Sequence, residues 1–311
     1  MPLKTPMLTR RAALTAGAAL PLAAATGGAA HAAAHEGAGP VMPQNTFKLG
    51  DFTVSNLLAG TRPVENPHSI FGLNVEDAEF QEVSRQNFIP ADVAQFFFTP
   101  TLVDTGSEVV LFDTGLGAEG LTDAMARAGY TPEQVMTVVI THMHPDHVGG
   151  LMNAGNPTFE NARHVTGQTE FDYWTSNPSE AVTANVVPIQ DRFELIGDGA
   201  SVTSGITGMN AFGHTPGHMV YMLESNGQQL LLMADTANHY VWSVGYPEWE
   251  VTFDMDKSQA ARTRKDVLGM VASERIPLAG YHMPFPGIGF IEARDQGFRY
   301  VPETYQMMLN S

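Results

Sequence analysis

The sequence predicts one large α/β domain, and three observations carry that expectation. Short apolar segments rich in β-branched residues alternate with segments of helical period. Each group of metal-ligating residue types stands just after one of those apolar segments, and no internal repeat or long polar linker divides the chain after residue 46. The 311 residues suffice for a single sizeable core.

Residues 1–34 read as an export signal. Lys4, Arg10 and Arg11 precede an uncharged Ala/Leu/Gly stretch from Ala12 to Ala30, which ends in the small-residue exit Ala30-His31-Ala32. Thr9-Arg10-Arg11-Ala12-Ala13-Leu14 resembles a twin-arginine signal, although Ala13 stands where that signal has a bulky apolar residue. The stretch is too poor in Leu, Ile and Phe for a retained anchor. Periplasmic location is therefore expected, with no stable membrane association after cleavage. Residues 35–46 read as a disordered leader and residues 47–311 as the folded domain.

Within that domain, Phe96 to Val103 and Val109 to Asp113 flank Asp104-Thr105-Gly106-Ser107 and predict a β-hairpin. A short helix over Leu121 to Ala128 stops at Gly129. Thr131-Pro132-Glu133-Gln134 carries the N-cap, proline and glutamine of a new helical turn. Met136 to Ile140 predicts a buried strand that delivers Thr141-His142 at its C-terminal edge, where α/β sheets present their sites. Further on, Gln168 to Trp174 predicts a helix and Thr207 to Phe212 a strand. Met219 to Glu224 and Gln229 to Met233 predict a hairpin around Asn226-Gly227. Lys257 to Ser273 predicts a long helix and Ile276 to Ala279 a last strand before Tyr281-His282. Asn74 to Gln86 is a helix candidate inside the Pro-punctuated stretch Arg62 to Pro90, able to serve as a lid or as packing.

Composition narrows the chemistry. Lys and Arg number 16 against 33 Asp and Glu, and loss of the signal removes three of those cations and no acid. That balance has the wrong sign for a nucleic-acid binder, which needs a basic face. The expected partner is a small-molecule substrate, with a homodimer left open. There is no cysteine, which excludes disulfides, thiolate metal sites and cysteine nucleophiles together. Any metal must be held by histidine and carboxylate.

Eleven histidines occur, and His31 and His35 fall before the domain. Of the rest, three lie beside an aspartate in Thr141-His142-Met143-His144-Pro145-Asp146-His147. On an extended loop, His142 and His144 can aim at one cation while Asp146 and His147 turn toward a second. Each cation then needs ligands from elsewhere, and a pair of ions about 3.5–4 Å apart sharing a carboxylate would meet that demand. Imidazole and carboxylate suit zinc, and also Fe, Mn, Co or Ni.

This run resembles the signature of the metallo-β-lactamase superfamily. Gly213-His214-Thr215-Pro216-Gly217-His218, Leu232-Met233-Ala234-Asp235-Thr236 and Tyr281-His282 are similar to its later motifs. The resemblance implies a four-layer αβ/βα sandwich, two mixed β-sheets flanked by helices. It implies two divalent ions, zinc by expectation. His142, His144 and His214 would hold one, Asp146, His147 and His282 the other, and Asp235 would bridge them. A metal-bridging hydroxide would then attack an apolar ester, lactone or phosphotriester, with Asp146 or Asp235 taking the proton. The bridging Asp235 disfavours a β-lactamase proper and is shared with lactonases, glyoxalase II enzymes and phosphotriesterases. His142 through Met152, Phe285-Pro286-Gly287-Ile288-Gly289 and Gly297 through Pro302 resemble segments of the methyl parathion hydrolase-like branch. There Trp174 would be a pocket tryptophan. Apart from the resemblance, Phe71 or Trp242 could add apolar lining that favours an uncharged substrate. Two departures leave the substrate open: Gly115 to Gly120 has no aromatic residue, and Asn238, His239, Tyr240 and Trp242 follow the bridging aspartate. The alternatives are a mononuclear-iron persulfide dioxygenase-like enzyme of the same fold, and a β-lactamase-like or glyoxalase II-like hydrolase.

Other residues are assigned supporting roles. Asp104-Thr105-Gly106 and Asp113-Thr114-Gly115 both spell the aspartic-protease triplet, but one hairpin cannot supply that enzyme's symmetric cleft. Asp104 reads as a turn residue, and Asp113 resembles the family's aspartate that orients a ligating histidine. His218 is expected to bond within its own loop rather than to metal, and His68 and His164 to be exposed or structural. His239 and Tyr240 could donate to a substrate oxyanion or simply pack. Phe96-Phe97-Phe98 reads as a core strand with one face able to reach the site mouth, and the methionines as core filler.

Overall fold

The computed structural model describes residues 45–305. The expected signal at 1–34, most of the leader and the last six residues lie outside the described part. The first strand, Asn45–Leu49, starts two residues before the expected domain boundary at 47.

Two seven-stranded sheets form the centre of the domain. The first runs, in spatial order, Asn45–Leu49, Phe52–Asn56, Thr101–Asp104, Val109–Phe112, Val135–Ile140, Arg163–Gly167 and Phe193–Ile196. Its first four strands are antiparallel and its last four parallel. The second runs Ser201–Thr203, Ile206–Asn210, Met219–Ser225, Gln228–Ala234, Leu278–Gly280, Ile288–Ala293 and Phe298–Pro302. It is antiparallel except where Gln228–Ala234 meets Leu278–Gly280.

Side-chain alternation decides the layering. Val139 packs with Phe47, Val54, Val110, Tyr221, Leu223 and Leu232 between the sheets. Its neighbours Val138 and Ile140 face the other way, onto Leu121 and Met125 of helix Ala118–Arg127 and onto Val182 of helix Glu180–Asn185. On the far side, Val267, Leu268 and Val271 of helix Lys257–Glu274 cover Val220, Leu231, Met233 and Leu278. The order helix, sheet, sheet, helix is the predicted four-layer sandwich.

Most expected elements are present, with shifted ends. The turn at Thr131 is a reciprocal capping box with Gln134, and Asn226 and Gly227 both take positive φ, as a tight hairpin turn demands. The expected strand Phe96 to Val103 is two strands. Val93–Phe98 pairs with Gly60–Glu65 in a separate ribbon, and Thr101–Asp104 enters the first sheet. Pro100 lies between them and has no N–H to continue a ladder. Met136 is not core filler, because the strand's alternation turns it outward and leaves it exposed. The same correction applies to Met255. The helix expected from Asn74 runs Asp77–Gln86, and it is packing: Phe80 and Val83 are buried in a cluster with Phe71, Trp242 and Trp249.

Candidate metal centre

Four strand ends converge. Val135–Ile140 ends before His142, Ile206–Asn210 before His214, Gln228–Ala234 before Asp235, and Leu278–Gly280 before His282. His144 is the N-cap of the single turn Pro145–Val148, where Pro145 occupies the first helical position. The following Gly149 has no room for a side chain, since a Cβ there would lie 2.4 Å from the Leu116 carbonyl oxygen. That close approach lays the Asp113 loop against the histidine loop. Ala234 and Asp113 both hold left-handed backbone conformations, φ 45° and 60°. Strain of this kind persists where surrounding structure over-determines it, commonly beside functional groups.

All seven residues expected as ligands come together. His142, His144 and His214 form one group; Asp146, His147 and His282 form another; and Asp235 groups with His142 and His147 between them. His144 Nδ1 lies 3.2 Å from His142 Nε2 and 3.0 Å from His214 Nε2. Asp235 Oδ2 is 3.3 Å from His214 Nε2 and 3.2 Å from His282 Nε2, while Oδ1 is 3.3 Å from His147 Nε2. Asp146 Oδ2 is 3.2 Å from His282 Nε2 and 3.6 Å from His147 Nε2. His147 Nε2 and Asp235 Oδ1 are buried yet make no hydrogen bond. Tetrahedral Zn–N bonds of about 2.0–2.1 Å put neighbouring nitrogens roughly 3.3 Å apart, so the residues present fit a pair of small divalent cations.

The opposite ring atoms are held so that the inward atoms stay available. Asp113 Oδ2 takes His147 Nδ1 at 2.8 Å, and Oδ1 accepts the Thr141 N–H at 2.9 Å, as expected for an orienting aspartate. Thr141 Oγ1 meets His142 Nδ1 at 3.1 Å. His282 Nδ1 donates to the Phe97 carbonyl at 2.9 Å. Asp254 Oδ1 takes His214 Nδ1 at 3.0 Å, and the buried Arg264 guanidinium closes on Asp254 Oδ2 at 2.7 Å. Sequence reasoning missed Asp254, Arg264 and Glu170. Asp254 is forty residues from the histidine it orients, and no local spacing signals such a partner.

Charge in this cluster divides by neighbour. Burial pushes His142 well below the ordinary histidine range and His144 down to about 3. Burial also opposes charge on His214 and His282, but Asp235 outweighs it together with Asp254 on one ring and Asp146 on the other, raising them to about 9 and about 10. His147 is likewise raised against its burial by Asp113, Asp235 and Asp146. Asp235 is held low against its own burial by His282 and His147. Without cations, protons supply part of the positive charge that these carboxylates demand.

The surroundings sort the remaining candidates. Trp174 stands edge-on to His144 with ring centres 6.0 Å apart. Phe96 and Phe98 set their edges against His282, and the partly exposed Phe253 meets Phe96. The Phe96-Phe97-Phe98 strand therefore does reach the site. Phe71 and Trp242 do not line an opening, because both are fully buried in the cluster beneath helix Asp77–Gln86. His239 accepts from the Val241 and Trp242 N–H groups through Nδ1 and stacks on Trp242 at 4.0 Å, with Tyr240 stacked at 4.7 Å; these are packing contacts. His218 Nδ1 donates to the Ala211 carbonyl inside its loop, and Nε2 accepts the Asp235 N–H at 3.1 Å. It holds the backbone of the central aspartate. His164 is buried without a hydrogen bond, His68 pairs with Asp77, and Asp104 accepts the Gly106 N–H as a turn residue.

A fold of two facing mixed sheets between helices, with a His/Asp cluster at one end, defines a metallohydrolase-type scaffold. The metallo-beta-lactamase superfamily model matches residues 99–276, and the chain belongs to that superfamily. An N-acyl homoserine lactonase of Bacillus cereus is 26% identical over 160 residues, 45% of this chain and 60% of that lactonase. The N-acyl homoserine lactonase AttM of Agrobacterium fabrum is 27% identical over 135 residues, 38% of this chain and 48% of AttM. The match thus spans less than two thirds of these curated relatives. Among solved structures, the hydrolase AbOPH of the beta-lactamase superfamily superposes with a TM-score of 0.78 at 25% identity, over 85% of this chain and 98% of that one. AidC, a dizinc quorum-quenching lactonase, shares the fold with a TM-score of 0.78 at 24% identity and the same coverage.

Proposed function

We propose that this chain is a dinuclear metal-dependent hydrolase that opens lactones, with N-acyl homoserine lactones as the first substrate class to test. The observation that carries the reading is Asp235, whose carboxylate lies between the two groups: Oδ2 is 3.3 Å from His214 Nε2 of one and 3.2 Å from His282 Nε2 of the other, and Oδ1 is 3.3 Å from His147 Nε2. That arrangement suits two cations sharing one carboxylate, with zinc as the expected metal. Bound there, two divalent ions would supply hydroxide at neutral pH and polarise a carbonyl oxygen. The chain's own groups would do the rest. Asp146, partly open to solvent beside His282, is placed to hold a proton during ring opening. Trp174 on one side and Phe253 on the other offer apolar walls for an acyl chain. The curated lactonases favour the lactone over the phosphotriester among the ester classes that such a cluster can take.

The test is proton release from a set of N-acyl homoserine lactones, an aryl ester and a methyl phosphotriester, with and without chelation of the zinc-loaded chain. Chelator-sensitive lactone turnover exceeding the other two is the expected result; no lactone turnover by a fully loaded chain overturns the assignment. We also propose export to the periplasm, on the strength of Arg10-Arg11 and the apolar stretch behind them. Fractionation of cells expressing the native chain and an R10K/R11K variant tests it, and equal periplasmic recovery of the two would remove the twin-arginine route.

A further inference from the structure

Glu170 lies in the first turn of helix Gln168–Ser176 and is fully buried. Four donors end on its carboxylate. Oε1 accepts the Met143 N–H and the Trp174 Nε1–H, both at 2.8 Å. Oε2 accepts the Thr215 hydroxyl at 2.7 Å and the Gly217 N–H at 2.9 Å. Met143 sits between His142 and His144, and Thr215 follows His214 directly. One side chain therefore ties together both loops that carry the three-histidine set, and fastens Trp174 to the same point. The loop of His214 also lies directly on the helix that carries Glu170: a Cβ on Gly217 would lie 2.1 Å from the Glu170 nitrogen.

Three of the four partners are N–H groups, which can only donate. A carboxylate offers acceptors to both pairs at once. A glutamine of the same shape turns its amide nitrogen toward one pair. Facing Met143 and Trp174, it would meet two obligate donors. Facing Thr215, whose hydroxyl can rotate to accept, it would still abut the Gly217 N–H. The second arrangement is the less costly, so glutamine keeps the Met143 side and loosens the loop of His214.

We propose that Glu170 is a positioning residue for the three-histidine half of the metal centre, fixing His214 relative to His142 and His144 without touching the ion. The inference rests on reading the cluster as a two-cation site. It makes one half of the centre depend on Glu170, while in the other half His147 is held by Asp113 and His282 by the Phe97 carbonyl.

The experiment compares the full chain with E170Q, H144A and E170Q/H144A, each loaded with zinc and dialysed against graded chelator, with metal counted by elemental analysis. The wild-type chain should hold two ions, and E170Q should release one of them at least tenfold more readily while keeping the other at wild-type affinity. In the H144A background, where the three-histidine half is already broken, E170Q should change nothing further. Wild-type retention of both ions by E170Q overturns the proposal, as does parallel weakening of both, which would mark a general packing role. Should E170Q fail to fold, T215V removes one donor alone and should weaken one ion several-fold; unchanged affinity in T215V refutes the proposal equally. A wild-type chain that never holds two ions would instead refute the two-cation reading beneath it.

Discussion

Asp113→Asn keeps the shape of a side chain that contacts no metal-facing atom, yet it should disable one half of the centre. Asp113 Oδ1 accepts the Thr141 N–H at 2.9 Å, so the asparagine oxygen is obliged to stay there. The amide nitrogen then occupies the Oδ2 position, 2.8 Å from His147 Nδ1. Two donors cannot face each other, and His147 must move its proton to Nε2. That is the atom 3.3 Å from Asp235 and 3.6 Å from Asp146, the one that needs a free lone pair. Loss of such an outer partner weakens metal binding about 10–100-fold, or about 1.4–2.7 kcal/mol. The assay is competitive chelator titration at neutral pH with elemental analysis of each fraction. One ion weakened within that range, with the other unchanged, is expected; two ions held as tightly as in the wild type would refute the tautomer argument.

Three further predictions follow from the same contacts. His218→Ala should retain both ions but leave the buried Asp235 N–H without its acceptor, lowering stability by about 1–3 kcal/mol in urea unfolding; loss of either ion would show that His218 does more than hold that N–H. The metal-free chain should be most stable near pH 6.5. His214 and His282, raised to about 9 and about 10, contribute stability that is present below the unfolded value of 6.5 and lost as pH rises through those values. His144, His218 and His239, held near 3, stay neutral in the fold while the unfolded chain takes up protons, so stability also falls as pH drops below 6.5. Thermal melts of chelated protein across pH 4–10 should show that maximum, and a curve rising steadily to pH 10 would contradict it. Finally, Trp174→Ala should raise KM for long acyl chains more than for short ones, measured on a chain-length series; a uniform change across the series would remove Trp174 from the substrate wall.

The parts of the fold legible in the sequence were those set by local period and punctuation. Gly129, Pro132 and the Asn226-Gly227 pair mark ends that the backbone obeys. The seven convergent residues were legible because four of them stand within six positions, and the resemblance supplied the other three. What escaped was decided by pairing across distance. The apolar run from Phe96 to Val103 looks continuous, but Phe96 and Phe98 pair with a ribbon strand while Leu102 and Val103 pair within the main sheet. Trp242 looked like pocket lining because it follows the central aspartate closely, whereas its indole N–H ends on Ser84 of helix Asp77–Gln86 and buries it. Glu170 and Asp254 are single carboxylates in unremarkable surroundings, and only the folded chain brings histidine loops onto them.

The central claim is that these side chains hold two divalent cations for hydrolysis. Elemental analysis of the purified chain, run beside a lactone hydrolysis assay on the same sample, addresses it most directly. Two divalent ions per chain, with turnover lost and regained as the metal is removed and restored, is the predicted result. A single iron per chain with oxygen consumption and no hydrolysis would contradict it.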